Sequence, residues 1–182
     1  MAPKLRRRLV IDASVARASG GTSCADSTAA GCRDFLLAVR KTKHRMATSH
    51  AMIKEWNRHQ SDFARQWRAG MERRGRVELV IPKLNADTAH SILATARDEG
   101  CRNILEDDMH LLEAALATDR TVASLDDRAR NHFAYASVTV QDIADVCWVN
   151  PGSAEERLTK WLSAGAKPEA HRMLSWHALA SP

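Results

Sequence analysis

The chain has 182 residues, of which 27% are charged, and its net charge is +5; this length suits one well-packed domain and excludes two ordinary ones. Its four cysteines and eight histidines form no Cys-x-x-Cys or His-Glu-x-x-His pattern, which argues against a zinc site or a disulfide framework. No apolar run approaches the ~18 residues of a membrane span, and no apolar signal core follows the basic N-terminus, so we predict a cytoplasmic protein.

The first predicted elements are a buried strand, a loop and a helix. The run Leu9-Val10-Ile11 is typical of a strand buried on both faces, and Asp12 follows it directly. Residues 19–27 have the composition of a turn. Apolar residues at helical spacing then predict a helix over residues 27–41.

A second strand, helix and strand are predicted next. Residues 45–48 are a weak strand candidate, and Ser49 is a plausible N-cap for the helix that follows. Glu55 flanks the apolar face of that helix. After a basic helical stretch, residues 77–81 alternate as a strand does, and Pro82 ends them.

Two helices and two strands complete the predicted domain. An apolar stripe predicts a helix that residues 98–100 close at a glycine. A second helix is predicted to begin at Asp108 and to run to residue 118, followed by strands over residues 121–125 and 137–140. Because strands alternate with helices, we predict an α/β fold with a parallel sheet.

The C-terminal segment is predicted to be a helical extension. We divide the chain into a main domain, residues 1–147, and an extension, residues 148–182. Ser153 and Glu156 match a capping box, and a second short helix is predicted after Pro168. The extension either packs on the domain or forms an interface with a partner.

Four carboxylates lie beside the most apolar short segments, where charge is costly without a use. Asp12 and Asp126 end predicted strands, and the carboxyl ends of parallel strands meet in one crevice. If Asp108 starts a helix at the same rim and Glu55 reaches in from its own helix, the four acids converge. Such an oxygen-only set suits Mg²⁺ or Mn²⁺ and predicts a metal site that hydrolyses phosphodiesters.

Two serines are expected to support these carboxylates. Ser14 lies two residues after Asp12, and Ser124 lies two residues before Asp126. Either hydroxyl can hydrogen-bond a carboxylate or a water molecule at the site. Taken singly, each acid also has a simpler interpretation as a helix cap, a turn residue or a surface residue, so it is their joint pattern that favours a site.

In these motifs the chain resembles the PIN-domain nucleases. The matching segments are Val10-Ile11-Asp12-Ala13-Ser14-Val15, Glu55, the segment from Asp108 to Ala115, and Val122-Ala123-Ser124-Leu125-Asp126. Their separations are similar to those of the VapC-like toxin ribonucleases. The resemblance implies a three-layer sandwich with a central, mainly parallel sheet. It also implies a metal-dependent endoribonuclease that acts as a dimer and is inhibited by a cognate antitoxin.

Two of the four acids have direct competitors. Asp107 competes with Asp108, which we prefer because it shares a helical stripe with Leu111, and Asp127 competes with Asp126, which directly follows the strand. The family often carries a further acid two residues after that position, where this chain has Arg128. A fifth acidic ligand is therefore not expected.

The charge distribution points to a polyanionic partner. Residues 1–76 hold 17 Lys/Arg and 6 Asp/Glu, a net +11, and residues 77–182 hold 10 and 16, a net −6, which sum to +5. We expect the basic half to hold RNA, with Arg58, Arg65 and Arg68 as candidates. The alternatives are a non-catalytic nucleic-acid- or partner-binding module and another Mg²⁺-dependent phosphate enzyme. A phosphatase with an aspartyl nucleophile usually has a second acid where Ser14 stands.

Overall fold

The computed structural model describes residues 6–20, 27–81 and 84–180. The predicted turn over residues 19–27 lies mostly outside these ranges, and Pro82, which is predicted to end a strand, lies wholly outside them. The five strands are β1 Arg8–Ile11, β2 Arg45–Thr48, β3 Val77–Leu79, β4 Thr121–Ala123 and β5 Cys147–Val149. The helices are α1 Ala13–Ala18, α2 Ser27–Lys41, α3 His50–His59, α4 Asp62–Glu72, α5 Ala86–Leu93, α6 Glu99–Leu116, α7 Asp127–Ser137, α8 Leu158–Ser163 and α9 Leu174–Ala180.

The strands form one parallel sheet in the order β3-β2-β1-β4-β5. The chain builds outward from β1 through β2 and β3, and then returns to place β4 and β5 on the other side of β1. Val10 pairs with Ala47 of β2 and with Val122 of β4. The order therefore reverses between β1 and β4, and in parallel sheets a crevice opens at this point, beyond the carboxyl ends of the strands.

Helices cover both faces of the sheet, which makes a three-layer α/β sandwich. Successive strand residues point to opposite faces, so Leu9 and Ile11 pack with α1 to α4 and α8, whereas Val10 packs with α5, α6, α7 and α9. The predicted α/β fold and parallel sheet are confirmed. Within the described residues, no helix is both long and apolar enough to cross a membrane.

The helix that carries Glu55 is fixed to the end of the first strand. Ser49 caps α3 by accepting a hydrogen bond from the Met52 amide, as predicted. On the buried face of the helix, Trp56 Nε1 donates to Ile11 O at 2.8 Å. Because Trp56 is fully buried, this bond holds Glu55, the preceding residue, beside the carboxyl end of β1.

The predicted start of a helix at Asp108 is wrong. α6 begins at Glu99, so Asp108 lies in its second half. Asp98 caps the helix, its Oδ1 accepting from the Cys101 amide at 2.7 Å. Residues 98–100 therefore begin this helix and do not close the preceding one, because an aspartate N-cap outweighs one exposed glycine in the first turn.

The predicted strand over residues 137–140 is also wrong. The structure has α7 ending at Ser137, and its buried face carries Ala129, Phe133 and Ala136 at helical spacing. The fifth strand is instead β5, whose three residues are all buried. Val138 is 62% exposed. Its β-branched side chain favours a strand locally, but it does not pack in the sheet.

The C-terminal segment packs on the sheet layers. Trp161 and Leu162 of α8 are buried in the same core as Leu9, and α9 packs against α7. The predicted capping box is wrong, because the Ser153 side chain caps nothing and Glu156 turns inward to Arg130, 3.1 Å away. The predicted boundary between residues 147 and 148 falls inside β5.

Candidate functional site

Asp12 lies at the switch point of the sheet. It follows β1, and its amide donates to Ala123 O of the neighbouring β4 at 2.9 Å. It also stands at the N-cap position of α1, but its side chain makes no capping hydrogen bond. The carboxylate is therefore available to face the crevice.

Two serine hydroxyls hold the Asp12 carboxylate, as predicted. Ser14 Oγ donates to Oδ2, and the fully buried Ser124 Oγ donates to the same oxygen at 2.9 Å. The hydroxyls also accept from the loop after β4, since the Leu125 amide donates to Ser14 Oγ and the Asp126 amide to Ser124 Oγ, both at 3.1 Å. These bonds fix the ends of β1 and β4 relative to each other.

Asp108 reaches the same crevice from α6, which packs against β1, β4 and α3. Its side chain is half-buried, whereas the neighbouring Asp107 is exposed. Burial raises the pKa of Asp108 to about 7, reinforced by the negative charges of Asp12, Asp126 and Glu55 and opposed by His110. Asp108, and not Asp107, therefore shares an electrostatic environment with the other three acids.

Asp126 both caps a helix and faces the site. Its Oδ1 accepts hydrogen bonds from the Arg128 and Ala129 amides, at 2.9 and 3.0 Å, at the start of α7. Asp126 is therefore a helix cap, where its simpler interpretation was a turn residue, and its charge also raises the pKa of Asp108. The competing Asp127 is exposed and is paired with Arg130 at 2.9 Å.

A histidine that the sequence patterns did not single out borders the site. His110 Nε2 lies 3.2 Å from Glu55 Oε2, without the alignment of a hydrogen bond. Its Nδ1 contacts Asp107 O at 2.7 Å. Histidine two residues after Asp108 belongs to no recognised motif, and only the packing of α3 on α6 brings it to Glu55.

The donor set fits a hard divalent cation in its chemistry. Three aspartates and one glutamate offer only oxygen atoms, which Mg²⁺ and Mn²⁺ prefer. Burial is the main cause of the raised pKa of Asp108, and the charges of the other three acids add to it. As the side chains stand, no three His, Cys, Asp or Glu side chains among the described residues are grouped to hold one metal ion.

Comparison with known proteins gave no match. Neither the family models, nor the curated proteins, nor the solved structures include one that this chain matches. The functional argument therefore depends on the geometry of the site.

The three arginines predicted to hold RNA differ in their exposure and in their contacts with other side chains. Arg68 is tied to the α4 surface, donating to Asn57 Oδ1 at 2.8 Å, with its guanidinium carbon 6.0 Å from the Trp56 ring centroid. Arg65 pairs with Asp62 on an exposed surface. Arg58 is exposed on α3, one turn after Glu55, and is the most available of the three candidates.

Proposed function

We propose that this protein is an Mg²⁺- or Mn²⁺-dependent endoribonuclease of the PIN-domain type. The observation that carries the proposal is the placement of four acids at the switch point of the parallel sheet, where Asp12, Asp126 and Glu55 act electrostatically on the half-buried Asp108. Uncompensated like charges at a crevice are stabilised by binding a cation. The resemblance to PIN-domain sequence motifs supports the same chemistry.

The four acids come from different elements of the fold. Asp12 and the two serines form the rigid part of the site, because their hydrogen bonds join β1 to the loop after β4. Asp108 and Asp126 add charge from α6 and α7, and Glu55 adds charge from α3. A divalent cation held by these carboxylates would activate water and neutralise charge that develops on a phosphodiester.

The basic half of the chain is proposed to position the RNA. Its net charge of +11 over residues 1–76 raises the local concentration of a polyanion. Arg58 and the exposed Lys54 lie on the helix that carries Glu55, so phosphates held by them would lie near the acids. These contacts carry no sequence information, and they contribute affinity more than specificity.

The cellular setting belongs to the same proposal. The similarity to VapC-like toxins leads us to propose a cytoplasmic toxin ribonuclease that forms a homodimer and is inhibited by an antitoxin protein. A co-purification with the product of an adjacent small gene tests the antitoxin, and light scattering tests the dimer. Neither result alters the test of cleavage itself.

Cleavage of single-stranded and structured RNA with Mg²⁺, with Mn²⁺ and with EDTA tests the proposal. We expect cleavage that EDTA abolishes and that Asp12→Asn and Asp108→Asn each reduce by about 10³-fold or more. Asp107→Asn and Asp127→Asn are matched controls, since both side chains are exposed neighbours of site residues. Cleavage that persists in Asp12→Asn would refute the mechanism. Wild-type protein that binds RNA and never cuts it would identify the non-catalytic binding module.

A further inference from the structure

A thiol and an imidazole meet at a cavity between α6 and α7. Cys101, in the first turn of α6, has its Sγ 2.9 Å from Nδ1 of His132 on α7. A cavity of about 490 Å³ lies against this pair. The lining residues that bear on its chemistry are Arg97, Cys101, Leu105, His132, Tyr135 and Val138. No member of this set is one of the four acids.

Cys101 differs in its surroundings from the other cysteines that the structure describes. Cys32 and Cys147 are 0% and 1% exposed, whereas Cys101 is 9% exposed and lines the cavity. Burial raises the pKa of the Cys147 thiol, which lowers its reactivity. Nδ1 of His132 lies within hydrogen-bonding distance of the Cys101 thiol and is placed to take its proton.

The lining of the cavity indicates the chemistry of its ligand. The guanidinium carbon of Arg97 lies 4.2 Å from the Tyr135 ring centroid and gives the cavity a positive charge. The carboxylate of Asp98 is turned to the Cys101 amide, to which it is hydrogen-bonded at 2.7 Å. Leu105 and Val138 are apolar. A cavity of this volume accepts a small molecule, and its lining suits one with an anionic group and an apolar body.

We propose that Cys101 is a modification site for small anionic disulfides, which bind in this cavity and exchange with its thiol. The S–H proton passes to Nδ1 of His132, and the Cys101 thiolate attacks one sulfur of the bound disulfide. The S–S bond of the disulfide breaks, a mixed disulfide forms on Cys101, and the second sulfur leaves as a thiolate. The disulfide is the oxidant, so the step needs no other reactant.

Dithiobis(nitrobenzoate), a dianionic aromatic disulfide, is the probe, and cystamine is its cationic counterpart. The reaction is followed in a Cys24→Ser background, because Cys24 lies outside the described residues, and peptide mass spectrometry locates the label. We expect one fast thiol at Cys101, reacting about tenfold or more faster than Cys32 or Cys147. Cys101→Ser should remove the fast phase, and circular dichroism checks that each variant is folded.

Two further variants separate the roles of the lining residues. Arg97→Gln should reduce the preference for the dianionic over the cationic disulfide by roughly fivefold, which a loss of packing alone would not do. His132→Gln should slow both reagents, whereas merely opening the cavity would speed them. Label on Cys32 or Cys147 as fast as on Cys101 would overturn the proposal. So would equal rates for the two reagents in the wild type once each rate is divided by that reagent's rate with a small neutral thiol, which corrects for the leaving thiol. RNA cleavage is not measured, so failure of the nuclease proposal leaves this test intact.

Discussion

Asp12 and Ser124 join the two central strands of the sheet through one hydrogen bond, in which Ser124 Oγ donates to Asp12 Oδ2 at 2.9 Å. Asp12 follows β1 and Ser124 follows β4, at the point where the strand order reverses. The same hydroxyl accepts from the Asp126 amide. One buried serine thus sets the position of two of the four acids.

Replacement of this serine should weaken both folding and the site. Ser124→Ala leaves the Asp126 amide without its acceptor and removes one donor to Asp12, so we expect a loss of about 1–2 kcal/mol in the free energy of unfolding. A supporting hydrogen bond of this kind typically changes metal affinity or activity by about 10- to 100-fold. Urea denaturation and Mn²⁺ titration measure the two effects. The exposed Ser163→Ala is the control; unchanged Mn²⁺ affinity in Ser124→Ala would contradict the supporting role.

Removing the charge of Asp108 should stabilise the protein when no divalent cation is present. The pKa of Asp108 in the folded protein, about 7, lies above the 3.8 of an unperturbed aspartate. The stability due to this group is therefore complete below about pH 4 and is lost as the pH rises through about 7. At pH 8 in EDTA we expect Asp108→Asn to raise the free energy of unfolding by about 1–2 kcal/mol.

Thermal unfolding with and without Mn²⁺ checks this expectation. One kcal/mol corresponds to roughly 2–4 °C for a chain of this size. Asp107→Asn, one residue away and exposed, should change nothing. If Asp108→Asn is destabilised in EDTA at pH 8, the repulsion inferred at this site is absent.

Asp126 and Asp127 can be distinguished by neutral substitutions. Asparagine is as good an N-cap as aspartate, so Asp126→Asn should keep the start of α7 and unfold near the wild-type temperature. It also removes a charge that acts on Asp108, so we expect RNA cleavage to fall by about 10²-fold.

The matched variant is Asp127→Asn, which weakens the ion pair with Arg130 and changes the acceptor of the hydrogen bond from Asn150 Nδ2, and neither contact involves the other three acids. Its cleavage rate should stay within about twofold of wild type, because such pairs contribute at most ~1 kcal/mol, and to stability only. The reverse ranking of the two variants would assign the site to Asp127. Both variants are compared by initial rates on one RNA at saturating Mn²⁺.

His44 should make the fold sensitive to mild acid. The side chain is fully buried, with Nδ1 accepting from the Arg7 amide at 2.9 Å and Nε2 3.0 Å from Leu162 O. Burial, with a contribution from Arg7, lowers the pKa of His44. The unfolded chain therefore binds the proton first, and stability present above about pH 6.5 is lost as the pH falls below it.

Urea denaturation between pH 7.5 and pH 5.5 measures this slope, in an Asp108→Asn background because Asp108 changes stability in the opposite direction. His44→Gln should be less stable and should show a smaller pH slope. His171→Gln, on an exposed residue, is the control and should keep the parent slope. An unchanged slope in His44→Gln would assign the acid sensitivity elsewhere, for instance to His177, whose pKa is lowered to about 4.

Local patterns predicted most of the fold. The apolar run Leu9-Val10-Ile11 and the helices over residues 27–41 and after Ser49 were predicted correctly, because their burial pattern and caps are encoded within a few residues. The predictions failed where two local signals competed. Asp98 and Gly100 compete as a helix start and a helix stop, and only the packing of α6 along β1 and β4 shows that the start prevails.

The sequence by itself determined which acids and serines lie near the carboxyl ends of β1 and β4, because short apolar runs mark buried strands. Asp12 directly follows β1, whereas the predicted strand over residues 121–125 ends at Ala123, so Asp126 lies three residues after β4. The tertiary structure alone decided which acids share a charge environment. Asp107 and Asp108 are adjacent on α6, so their side chains point in different directions. The carboxylate of Asp108 is half-buried at the crevice, and that of Asp107 is exposed to solvent. The contact of His110 with Glu55 was decided in the same way, because residues 55 positions apart meet only when α3 packs against α6.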